Sequence, residues 1–226
     1  MSRSDVPALV AHRGFADEYP ENTLFAFESA AERADVIELD VRRSESGELV
    51  VFHDAELSRL TDAHGLVEDT PWSELRELAV LDSGERIPGL DTALDAIPDE
   101  VGVNVELKHG GMTEQVLAAV EGVENEVLFS SFEGRVLREL RERETAASLG
   151  CISRRGPNCI DTALGLECES VHPRADICDA DFVTRAHEVG LDVNVWTIET
   201  RAEAERLATA GVDGLIADTW RVLLRG

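Results

Sequence analysis

Residues 9–27, LVAHRGFADEYPENTLFAF, separate the two architectures open to this chain. The apolar run Leu9-Val10-Ala11 reads as a strand, and a helical pattern begins only after Thr23. A strand feeding a helix predicts an α/β unit. A doubly wound open sheet built for a dinucleotide would carry GxGxxG at this first turn. The turn here holds His12-Arg13-Gly14 and a polar loop ending Pro20-Glu21-Asn22-Thr23. Packing asks for neither a histidine nor an arginine at a strand end, so both are candidates for chemistry.

The same beat recurs along the chain. Strands are predicted at 9–12, 36–41, 101–108, 127–132, 146–151, 169–173, 191–198 and 212–218. Helices are expected between them, including 23–33, 112–122, 133–143, 179–189 and 200–210, with Asp or Thr at their starts and Gly190 or Gly211 after their ends. Eight strand-helix units predict an α/β fold of the (β/α)8 barrel type. One element breaks the rhythm. ELVVFHD (48–54) follows VIELDV (36–41) after only RRSESG, too short for a crossover helix, so the two must form a hairpin. A turn near residues 45–46 would set Glu38 opposite His53 and Asp40 opposite Val51, all four on one face. Residues 55–88 then carry turn signals and one short helix (73–79), and read as an insertion above the barrel mouth.

Composition bounds the rest. The 226 residues suit one domain, 1–226, and no apolar run approaches the length of a membrane span. With no secretory h-region at the start, a cytoplasmic protein is expected. Asp and Glu number 46 against 21 Lys and Arg, for a net charge of −25, and Lys108 is the single lysine. An acidic chain that has abandoned lysine suggests a salt-loaded, halophilic cytoplasm, where screening is short-ranged. The same charge argues against nucleic acid or anionic membrane surfaces as partners. Cys151, Cys159, Cys168 and Cys178 have no zinc or redox spacing and read as buried free thiols.

Barrel enzymes place their chemistry at the C-terminal ends of strands. Those ends carry His12-Arg13, Glu38-x-Asp40, Glu106-x-Lys108, Ser131-Phe132, His172 and Trp196. Three carboxylates in one mouth repel one another unless a cation sits between them. Oxygen-only ligands select a hard divalent ion, Mg²⁺ or Ca²⁺, making Glu38, Asp40 and Glu106 the metal candidates. Lys108 shares a face with Glu106 and offers a point charge to a phosphate, and Arg13 offers a fork matched to phosphate oxygens. Two imidazoles, His12 and His53, suit paired acid-base work. His64, His109 and His187 read as structural, and His172, before Pro173, as structural in preference to catalytic.

HRG…PENTL.AF, ELDV, VVFHD and VELK, with VNVWTI and GVDGLIAD near the end, together resemble the glycerophosphodiester phosphodiesterase family over nearly the whole chain. The segment AELSRLTDAHGLVEDTPWSELREL is similar to that family's own insertion. The resemblance implies a distorted (β/α)8 barrel that uses one divalent cation to hydrolyse a small-molecule phosphodiester such as glycerophosphocholine. It implies His12 and His53 as the acid-base pair and Glu38, Asp40 and Glu106 on the metal. Arg13 and Lys108 would hold the phosphate, Trp196 would line the mouth, and Glu21 and Asn22 would order the loop after His12. Alternatively, Asn22 is only a helix cap. ADTW and SFEG depart from the family's commoner endings, which bears on substrate choice. A lysophospholipase D-type activity would need an apolar groove near 55–88, and a metal-dependent sugar isomerase or aldolase would not need Arg13. A binding protein without turnover would be expected to have lost a histidine or a ligand.

Overall fold

The computed structural model of the protein describes residues 6–156 and 158–223. Chain order runs β1 (Ala8–His12), α1 (Leu24–Ala30), β2 (Val36–Arg43), β3 (Leu49–Val51), α2 (Trp72–Leu75), α3 (Leu90–Asp95) and β4 (Gly102–Leu107). It continues α4 (Thr113–Ala119), β5 (Val127–Ser131), α5 (Gly134–Arg143), β6 (Ser148–Ser153), α6 (Cys159–Gly165) and β7 (Ser170–Pro173). Then come α7 (Ala180–Glu188), β8 (Asp192–Ile198), α8 (Arg201–Ala210) and β9 (Gly214–Ala217), followed by a 3₁₀ turn (Trp220–Leu223). The parallel strands pair in the order β1-β9-β8-β7-β6-β5-β4-β2, and β1 pairs with β2 to close the ring. This is the expected (β/α)8 barrel, with β3 added antiparallel to β2.

Strand periodicity sorts the residues into two environments. Ile37, Leu39, Val41, Val103, Val105, Leu149, Val171, Val193 and Leu215 lie in the main apolar core with the helices. Their alternates point inward: Glu38, Asp40, Asn104, Glu106, Ser130, His172 and Asn194. All but Asn194 are buried. A barrel interior is ordinarily filled by branched apolar side chains, so a polar interior signals a site rather than a packing solution. The helices begin where local chemistry allows. Thr23, Asp179 and Thr200 cap α1, α7 and α8 by accepting from Ala26, Phe182 and Glu203 amides. Gly211, at φ +86°, ends α8 in left-handed backbone.

The hairpin is present, but its register differs from the predicted one. Val41 pairs with Val51 and Arg43 with Leu49. Asp40 therefore faces Phe52, whose amide donates to the Asp40 carbonyl at 2.9 Å. Val51 consequently packs into the main core, and His53 lies beyond the strand. A bend delivers His53 to the mouth, braced by Arg42, whose Nε donates to the His53 carbonyl at 2.9 Å. The hairpin centres on residue 46, half a residue later than the expected turn, and this shifts every pairing. The insertion also differs in detail: α2 stops at Leu75, shorter than the expected 73–79, and two 3₁₀ turns, Leu57–Arg59 and Val67–Asp69, precede it. Leu57, Leu60, Val67, Leu75, Val80 and Ile87 close over Val50 and Phe52 as a separate apolar cluster.

Gly14 turns the chain after β1 at φ +77°, and a Cβ there would sit 2.8 Å from Ala26 Cβ. Both the backbone and the space exclude a side chain. Gly14→Ala is expected to lower unfolding free energy by ~2–3 kcal/mol, read by chemical denaturation. A loss below about 0.5 kcal/mol would show that the turn is not constrained in this way.

Candidate active site

β1 covers only residues 36–38 of β2, with His12 opposite Glu38, and β3 takes over at residues 41–43. Glu38 and Asp40 stand at this handover, with His12 on one side and His53 on the other. β4 lies along the other edge of β2, pairing Asp40 with Glu106. Eight residues picked from sequence thus converge at one end of the barrel. A cavity of about 90 Å³ is lined by His12, Arg13, Glu38, His53, Glu106, Lys108 and Trp196, and Asp40 is fully buried behind it.

Glu38, Asp40 and Glu106 each offer an oxygen, all within 4.8 Å of one another. Burial, with Asp40 and Glu106 adding repulsion, pushes the Glu38 carboxyl up to about 8. Burial and Asp40 also raise Glu106. Burial would raise Asp40 too, but Lys108 and Arg13 outweigh it and hold that carboxyl well below the usual carboxylate range. Lys108 Nζ lies 2.5 Å from Glu106 and 3.1 Å from Asp40. Glu38 Oε1 is buried with no hydrogen-bond partner. An orphaned carboxylate oxygen among three crowded acids fits a hard divalent cation, whose ligands are oxygens.

Both histidines are backed by a carboxylate. His12 Nδ1 lies 2.6 Å from Asp218, and His53 Nδ1 lies 2.5 Å from Asp54. This fixes each ring and leaves Nε2 to face the mouth; His12 Nε2 is 4.0 Å from Glu38. Burial lowers the His12 pKa, but Glu38 and the Asp218 bond more than offset it, and the net shift is upward. Burial lowers His53, with Asp40 only partly compensating.

The loop between them is strained and braced. Arg13, Phe15 and Asn22 all adopt left-handed backbone, which costs ~1–3 kcal/mol apiece unless surroundings enforce it. Arg13 N–H donates to Glu38 at 2.9 Å, and Asn22 N–H donates to the Arg13 carbonyl at 3.0 Å. The Asn22 amide donates to Asp40 at 2.8 Å and accepts from the Asp40 N–H at 3.3 Å. Asn22 is therefore a support for Asp40, and the adjacent Thr23 is the helix cap. Glu21 holds both Arg13 (2.9 Å) and Arg59 (2.7 Å), and Arg59 also grips Asp54. The insertion thereby props His53 through Arg59.

Sequence reasoning missed Asp218, Asp54 and Arg59 as supports. Asp54 was visible next to His53; Asp218 is 206 positions from His12, and nothing short of the closed ring joins them. Trp196 donates to the His172 carbonyl at 2.8 Å and packs edge-on against Phe132 at 5.4 Å. His172 is buried in the barrel interior, its Nε2 between Ser170 (2.9 Å) and Asn194 (3.1 Å), and it also lines the cavity. The four cysteines are buried and free. A larger cavity, about 240 Å³, lies at the opposite, N-terminal end, among Ala8, Gly102, Ser148 and Asp192, away from the histidine-carboxylate cluster.

A ring of parallel strands with two carboxylate-backed histidines above three buried acids marks a candidate active site at one end of a barrel. A profile of the Glycerophosphoryl diester phosphodiesterase family matches residues 12–221. A glycerophosphodiester phosphodiesterase of Caldanaerobacter subterraneus subsp. tengcongensis is 33% identical, with 96% of each chain covered. Another from Bacillus altitudinis is 30% identical over 93% of this chain and 94% of its own. An Oleispira antarctica phosphodiesterase solved with the product sn-glycerol-3-phosphate superposes with a TM-score of 0.88 at 29% identity, covering 94% of this chain and 93% of that one. The chain belongs to the glycerophosphoryl diester phosphodiesterase family and is a phosphoric diester hydrolase.

Two outcomes follow from this geometry. Asp218→Asn should cut kcat about 10–100-fold by releasing His12 from its orientation, measured by steady-state hydrolysis; an unchanged kcat would remove that role. Burial lowers the His172 pKa to about 4, below the ordinary 6.5. The unfolded chain then binds the extra proton between those values, so stability falls as pH drops through that window. Relative to His172→Gln, the wild type should lose about 3 kcal/mol between pH 7 and 4, seen by denaturation at each pH. A difference that does not vary with pH would contradict it.

Proposed function

We propose that the chain hydrolyses glycerophosphodiesters, such as glycerophosphocholine or glycerophosphoethanolamine, to glycerol 3-phosphate and an alcohol. One divalent cation, Mg²⁺ or Ca²⁺, would be held by Glu38, Asp40 and Glu106. The observation that carries this reading is the convergence of His12 and His53 over three buried carboxylates, one with an orphaned oxygen. When bound, such a cation supplies Lewis-acid polarisation of phosphoryl and hydroxyl oxygens. One histidine takes the proton from the glycerol hydroxyl as that oxygen attacks phosphorus, and the other protonates the departing alcohol. Water then opens the resulting cyclic phosphate with the roles reversed. Arg13 and Lys108 offset negative charge at the phosphoryl group, and they counter a protein field of net charge −25 that would repel the substrate.

The Oleispira antarctica protein, solved with sn-glycerol-3-phosphate, supports the product assignment. The insertion buries its apolar residues in its own cluster rather than in an acyl groove, which favours the same reading over a lysophospholipase D. Among the described residues no helix is long and apolar enough to cross a membrane, and the acidic, lysine-poor composition supports assay in high salt.

Glycerol 3-phosphate release from glycerophosphocholine and glycerophosphoethanolamine, followed in high salt with Mg²⁺, Ca²⁺ or chelator, tests this. Release should require the ion and fall at least about 10²-fold in His12→Ala or His53→Ala. Full activity in chelator would sink the metal assignment, and full activity in either variant would sink the acid-base pair.

A further inference from the structure

Among the described residues, the cations that line the mouth are committed to carboxylates with one exception. Arg13 is held by Glu21 and Asp40, Lys108 by Glu106 and Asp40, and Arg59 by Glu21 and Asp54. Arg154, at the end of β6, lines the same cavity and is exposed. Among the described residues it makes no ion pair. Its guanidinium lies 4.5 Å from the Phe132 ring centroid and 5.8 Å from that of Trp196. In a chain with more than twice as many acids as bases, an arginine at the mouth without a carboxylate is a conspicuous vacancy for an anion.

Position decides which part of a substrate it meets. β6 stands four strands from β1 in either direction around the ring, so Arg154 faces His12 from across the mouth. The phosphoryl group and the attacking glycerol hydroxyl belong beside the carboxylates and histidines. A departing alcohol directed away from that cluster leaves past the far rim, where Arg154 lines the cavity. There it meets a guanidinium lying against two aromatic rings. These rings would otherwise suit a cationic headgroup, but Arg154 already covers them and repels such a group. A stacked guanidinium keeps its planar fork available to a carboxylate or phosphate.

We propose that Arg154 is a specificity-determining residue that favours glycerophosphodiesters whose departing alcohol carries an anionic group. The assignment rests on the hydrolase reading of the site. The loop holding Arg154 is braced: the Arg174 N–H donates to the Ser153 carbonyl at 3.1 Å, and the Arg155 N–H donates to Ser153 Oγ at 3.2 Å. The guanidinium thus starts from a fixed strand end, and contact in the mouth survives salt that erases long-range attraction.

Glycerophosphoserine and glycerophosphoethanolamine differ by one carboxylate and form the test. Steady-state kcat/KM for both is measured in high salt with wild type, Arg154→Gln and Arg154→Lys, and folding is checked by circular dichroism. Wild type should prefer glycerophosphoserine by about five- to tenfold, Arg154→Gln should bring the ratio to near one, chiefly through KM, and Arg154→Lys should fall between. A ratio unchanged in Arg154→Gln, with both substrates turned over, would overturn the Arg154 assignment and leave the hydrolase reading standing. Failure of wild type to release glycerol 3-phosphate from either would overturn that reading and the assignment with it.

Discussion

Mutual repulsion among Glu38, Asp40 and Glu106 is the constraint around which this barrel is arranged. Three carboxylates whose oxygens lie within 4.8 Å, in surroundings that exclude water, are unfavourable unless neutralised. The protein answers in part with its own cations, Lys108 and Arg13, which is why Asp40 stays ionised while Glu38 is pushed toward the neutral form. The Glu38 Oε1 atom remains buried without a hydrogen-bond partner, which is where the proposed cation would complete the balance. The polar barrel interior and the left-handed loop after β1 have no comparable packing purpose.

A second tier of contacts turns that demand into geometry. Asp218 closes the barrel seam onto His12, while Asp54, Arg59 and Glu21 tie the insertion to His53 and Arg13. The insertion is thus a buttress with its own apolar cluster, and its arginine reaches the mouth. β3 serves the same end. By relieving β1 as the partner of β2, it leaves Glu38 and Asp40 flanked by histidines from two different strands' ends.

Much of this was legible in the sequence because barrel strands impose a period of two. Once VIELDV and VNVEL are recognised as strands, Glu38, Asp40 and Glu106 must share the inner face, and Lys108 must follow them. The helix caps at Thr200 and Asp179 were equally local. The hairpin register was not, because turn length shifts every pairing and the sequence SESG allows more than one turn. Asn22 read as a possible cap because caps and loop clamps use the same residue types, and only the adjacent Thr23 accepting from Ala26 separates them. Asp218 and Arg154 belong to the closed ring itself. Their meaning depends on which strands stand beside and across from β1, and no local pattern carries that.

The most direct test of the central claim is thermal unfolding of chelator-treated protein with added Mg²⁺ or Ca²⁺, comparing wild type with Glu38→Gln. If the three carboxylates form a cation site, the ion raises the wild-type Tm in a concentration-dependent way. Glu38→Gln, with the repulsion relieved, should melt higher than wild type in chelator and lose most of its response to the ion. A wild-type Tm indifferent to both ions, or a Glu38→Gln protein that responds as wild type does, would contradict the claim that these three carboxylates form a cation site.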